Sequence, residues 1–95
     1  MTITMTGNVQ ADEKTERYVQ RAIGSLEKYL PKEARDDARA AVILAQVDRP
    51  HGNKYEASVN LTAHSKTYSA SDSTLNLLAA LDIVRLKLIN QLKKS

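Results

Sequence analysis

The sequence predicts an α+β fold of order β-α-β-β-β-α, with two helices covering one face of a four-stranded mixed sheet. Residues 75–94, LNLLAALDIVRLKLINQLKK, lie within the longest run free of Gly and Pro and repeat apolar side chains at helical steps. Residues 12–30 carry a second helical stripe, and four shorter segments alternate or run apolar between turn residues, as strands do. A strand, a crossover helix and a strand in one sheet imply a parallel first pair; the two later turns imply antiparallel hairpins. The two helical stripes need a common apolar surface, which puts both helices on the same face.

Thr2 to Thr6 alternates Thr, Ile, Thr, Met, Thr, with Ile3 and Met5 on one side, and Gly7-Asn8 ends the strand. Asp12 is placed to cap the first helix, whose opening turn holds Glu13 and Glu16 and which Pro31 stops after Leu30. Val19, Ile23, Leu26 and Leu30 share one sector of it. The opposite sector holds Lys14, Arg17, Arg21 and Lys28, so its charge is sorted.

Lys32 to Ala38, KEARDDA, reads as a charged loop with room for one helical turn. Arg39 to Val47 then reads as a strand buried on both faces or nearly so, with Ala40, Val42 and Leu44 opposite Ala41, Ile43 and Ala45. Asp48 to Asn53 supplies a turn, Tyr55 to Leu61 a strand with Tyr55, Ala57, Val59 and Leu61 inward, Thr62 to Lys66 a second turn, and Thr67 to Ser71 a polar fourth strand. In the closing helix, capped by Ser73 or Asp72, Leu77, Leu81, Val84, Leu88 and Leu92 form the core face. Lys87, Lys93 and Lys94 form a second basic set on this helix. Leu75, Ala79, Ile83 and Leu86 make a second apolar stripe, which a lone surface helix would not keep unless something covered it.

Ninety-five residues with 42% hydrophobic content make one domain, residues 1–95. The chain has no Cys, which excludes disulfides, thiolate metal sites and cysteine nucleophiles and suits a reducing compartment, so a cytoplasmic location is expected. No apolar run spans a membrane, and MTITMTG lacks the parts of a secretory signal. His51 and His64 fall in turns, Asp36-Asp37 is a solvated pair, and nucleotide-binding glycine patterns are missing. Neither a metal, a cofactor nor an enzymatic activity is expected. The net charge of +3 matters through its sorting. Cations spaced along two adjacent helices suit a phosphate backbone, and RNA recognised by shape is the favoured ligand.

With its elements placed, the chain resembles the ribosome hibernation-promoting factor and ribosome-associated inhibitor A family over nearly its whole length. The resemblance rests on MTITMTGN, YVQRAIGSLEKYL, AAVILAQV, KYEASVNL, ASDSTLNLLAALD and RLKLINQLKK in that order, above all Leu26-Glu27-Lys28-Tyr29, the run Asn76 to Asp82, Lys87-Leu88 and Gln91 to Lys94. It implies a fold similar to a double-stranded RNA-binding domain. It also implies a non-enzymatic protein that lodges in the decoding region of the small ribosomal subunit and excludes messenger and transfer RNA in resting, stationary-phase or stressed cells. Arg21, Lys28, Lys87, Lys93 and Lys94 carry over as rRNA contacts, to which the helical stripe adds Lys14 and Arg17. The resemblance further implies a short form or the first domain of a long one. Ala22 and Ser25 stand where the family commonly has lysines, Asn90 where an arginine is usual, and Leu86 and Ile89 where acidic or polar residues are usual. The alternative is a protein interaction module that forms a homodimer or docks a partner through Leu75, Ala79, Ile83 and Leu86.

Overall fold

The computed structural model describes residues 1–9, 12–49 and 52–94; the expected turn residue His51 lies outside them. Strand β1, Thr2–Thr6, turns Ile3 and Met5 toward the core and its threonines to solvent. It lies parallel to β2, Arg39–Arg49, which pairs antiparallel with β3, Gly52–Ala63; β3 pairs antiparallel with β4, Lys66–Thr74. The sheet order is β1-β2-β3-β4, the mixed sheet expected.

β1 ends where the backbone must pass against β2. Gly7 has φ +121°, and a Cβ there would sit 1.9 Å from the Leu44 carbonyl oxygen, so no side chain fits. Asn8 then stands in for a strand residue: its Nδ2 donates to the Gln46 carbonyl at 3.3 Å and its Oδ1 accepts from the Gln46 N–H at 2.8 Å. One side-chain amide reproduces the donor and acceptor of a peptide group and extends pairing past the end of β1.

Helix α1, Glu13–Gly24, starts at Asp12, whose carboxylate accepts from the Thr15 N–H at 2.8 Å; that bond holds the Asp12 carboxyl below its usual range. The sequence predicts this helix to Leu30. The α-helix instead ends at Gly24 and tightens into a 3-10 turn over Ser25–Tyr29, which still delivers Leu26 and Leu30 to the core. Pro31 forces Leu30 into the extended region, φ −94° and ψ 149°, and Arg35 donates from Nε to the Leu30 carbonyl at 3.1 Å. The single turn for which Lys32 to Ala38 had room is α2, Lys32–Arg35, which buries Ala34.

Both hairpins are tighter than the sequence suggests. β2 and β3 are paired out to Arg49 and Gly52, and the second turn shrinks to His64 and Ser65, whose φ values of 55° and 68° match the two-residue turn that follows strand twist. His64 is exposed, as expected of a turn residue. The expectation that Arg39 to Val47 is buried on both faces fails. Ala40, Val42 and Leu44 are buried, but Ala41 and Ile43 are exposed and Ala45 is half-buried, because both helices cover the same face and none of the described residues packs over the other.

Helix α3, Leu77–Lys94, begins two residues later than predicted, and its cap is neither Ser73 nor Asp72. Both belong to β4, which uses its polar residues as strand up to Thr74. Asn76 makes the cap, its Oδ1 accepting from the Leu78 N–H at 2.9 Å and the Ala79 N–H at 3.3 Å. Ala80, Leu81, Val84, Leu88, Ile89 and Leu92 of α3 join Val19, Ile23, Leu26, Val42, Leu44, Val59 and Leu61 in one core. Small inward residues, Ala40 and Ala57 among them, let the helices approach the sheet closely.

Candidate nucleic-acid interface

Helices α1 and α3 pack side by side on the sheet and are tied at two points. The Tyr18 hydroxyl donates to the Asp82 carboxylate, and Arg85 Nε donates to Ser25 Oγ at 3.0 Å, which itself donates to the Ala22 carbonyl at 2.7 Å. The bond to Asp82, with burial behind it, raises the Tyr18 pKa and so favours the phenol as donor. Tyr18, Arg21, Ala22, Ser25, Asp82 and Arg85 line the resulting groove. Two guanidinium groups, Arg21 and Arg85, thus come from different helices to one seam.

At the far end of this seam stands Tyr29. Lys28 Nζ lies 5.3 Å and Lys93 Nζ 5.9 Å from its ring centroid, within reach of the electron-rich face. One aromatic ring therefore gathers an ammonium group from the 3-10 turn and another from α3. Lys14 and Arg17 are exposed on α1, and Arg17 is engaged by Glu13 one turn earlier. An exposed pair of this kind contributes about 0.3–0.5 kcal/mol and leaves Arg17 free to exchange partners.

The positive set expected on α3 is divided by the structure. Lys93 turns toward Tyr29 of the 3-10 turn, but Lys87 reaches the opposite flank, donating to the Ser71 carbonyl at 2.8 Å and pairing with Asp72 at 3.3 Å. Gln91 joins it there, donating to the Ser69 carbonyl at 2.7 Å. These two side chains close the outer edge of β4. Lys94, seven residues after Lys87, shares its flank. The sequence gives no warning of this, because Asp72 is distant in the chain and its strand position is set only by hairpin register.

Arg85, Tyr18 and Tyr29 are not among the site residues expected from the sequence. Arg85 sits inside an apolar run, DIVRLKL, and its weak signal is helical: it shares a sector about 80° wide with Asp82 and Lys93. The residues of the second apolar stripe differ in exposure. Leu75 precedes the helix and is 73% exposed, Leu86 is 57% exposed, and Ala79 and Ile83 are half-buried. Among the described residues no cluster of His, Asp or Glu is arranged to hold a metal, and no helix is long and apolar enough to cross a membrane.

Fold and site together define a small α+β domain that gathers cations along a helix-helix seam above a single sheet. The chain matches the family described as Sigma 54 modulation protein / S30EA ribosomal protein over residues 3–95, and it belongs to that ribosome-associated family. Its fold is similar to the Thermus thermophilus Protein Y N-terminal domain, with TM-score 0.83 and 21% identity over 99% of this chain and 98% of that one. It is also similar to a ribosomal subunit interface protein from Coxiella burnetii, with TM-score 0.78 and 22% identity over 99% of this chain and 96% of that one. None of the curated proteins matches the sequence.

Proposed function

We propose that this chain binds the small ribosomal subunit through its rRNA at the decoding region, where it blocks messenger and transfer RNA and so holds resting ribosomes inactive. The observation that carries this function is the seam between α1 and α3. Arg21 and Arg85 line one groove, and Lys28 and Lys93 flank Tyr29. Cations held at fixed separations on paired helices engage successive phosphates, and displaced counterions make the contact favourable at low salt. Lys14 and Arg17 extend the set along α1, and on the other flank of α3 Lys94, with Lys87 once its bond to Asp72 opens, adds further positive charge. Membership of a ribosome-associated family, and a likeness in fold to a subunit interface protein, support the same partner.

The proposed action is occlusion. It needs no cofactor and no chemistry, so the protein would act as a cytoplasmic translation inhibitor and not as an enzyme. Co-sedimentation with small subunits from stationary-phase cells tests it. If about five phosphates are contacted, the logarithm of the binding constant falls against the logarithm of salt with a slope of about −3.5 to −4.5. Binding to the large subunit alone, or binding that salt leaves unchanged, overturns it.

A further inference from the structure

The two edges of the sheet are treated differently. The outer edge of β4 is closed by Lys87 and Gln91, which bond the Ser71 and Ser69 carbonyls. Among the described residues, no hydrogen bond closes the outer edge of β1. Thr2 donates its N–H to the Ala38 carbonyl at 3.0 Å, so Thr2, Thr4 and Thr6 direct their backbone groups at β2. By strand alternation, Ile3 and Met5 direct theirs outward. The strand Thr-Ile-Thr-Met-Thr has no charge, proline or bulge, the devices by which exposed edges ordinarily discourage pairing. Above this edge lies a groove lined by Ile3 and Met5 from β1 and by Glu13, Glu16, Arg17, Gln20 and Arg21 from α1.

We propose that β1 pairs antiparallel with β1 of a second copy of this chain about a two-fold axis at Thr4, giving one continuous eight-stranded sheet with all helices on one face. Placing the axis there sets Ile3 against Met5 of the other copy twice, so each outward N–H and C=O meets its complement in four hydrogen bonds. The same axis runs the two α1 helices antiparallel. Each α1 is acidic at its start, Glu13 and Glu16, and basic one to two turns on, Arg17 and Arg21. Antiparallel placement therefore sets carboxylates against guanidinium groups from the other copy, whereas parallel placement would set like against like. The half-buried Ile3 and Met5 side chains form a seam beneath those charges.

Oligomeric state tests this without any ribosome. Between about 10 μM and about 1 mM, where a small interface dissociates, sedimentation equilibrium should show the mass rising from 10.5 kDa toward twice that value. Hydrogen exchange at the Ile3 and Met5 amides should slow as concentration rises. Met5→Pro removes an outward N–H while leaving the β1–β2 bonds intact, and should hold a folded chain monomeric. Glu13→Lys should weaken the dimer, and adding Arg21→Glu to it should restore it. A chain that is monomeric throughout, a dimer that survives Met5→Pro, or edge amides protected only by an added foreign extended peptide would each overturn self-pairing.

Discussion

Gly7 shows how much one residue without a side chain decides. Its left-handed backbone, together with the Leu44 carbonyl occupying the space a Cβ needs, lets the chain leave β1 and places Asn8 against Gln46. Gly7→Ala combines a strained φ with a backbone clash, and should lower stability by about 3 kcal/mol or more, measured by denaturant unfolding. Recovery of full stability in that variant would mean the turn relaxes without cost. Asn76 acts by another route. The sequence points to Asp72 or Ser73 as the cap, although all three side chains accept hydrogen bonds. Only the length of β4, set by pairing Thr74 with Tyr55, removed the other two from contention.

Among elements, the contact between α1 and α3 matters most, because it sets where the cations stand. Tyr18 and Asp82 sit on different helices far apart in sequence, and their bond favours the protonated phenol. With its folded pKa raised above 10.0, Tyr18 ionises first in the unfolded chain. Its contribution is whole below that value and is lost as pH rises through the folded pKa. Tyr18→Phe should cost about 0.5–1.5 kcal/mol at pH 7. The gap between variant and parent should narrow above pH 10, as read from thermal midpoints of both proteins across the alkaline range. A gap that is constant with pH would show that the hydroxyl contributes nothing through Asp82. The first helix teaches a related lesson. Its apolar period continues through Leu30, but a 3-10 turn also returns side chains to one side after three residues, so periodicity could not tell the two apart.

For the whole molecule, the distribution of charge separates cations that share the seam from cations that lie elsewhere. Arg85→Gln should reduce the salt slope of ribosome binding by about 1, as loss of one phosphate contact does. Lys87→Gln should reduce it by less, because Lys87 is committed to Ser71 and Asp72 at the far edge. Equal effects of the two substitutions would show that both flanks of α3 take part in binding.

The element order, the parallel first pair, the two antiparallel hairpins and the core faces of both helices were determined by the sequence itself. They follow from periodicity, turn chemistry and the need to bury apolar stripes together, all of which are local or pairwise along the chain. The one-sided burial of β2, the cap at Asn76, the capture of Lys87 by Asp72 and the entry of Arg85 into the site were decided only by tertiary structure. Each depends on which distant side chain a fixed register brings within hydrogen-bonding reach, and no spacing within a single segment contains that information.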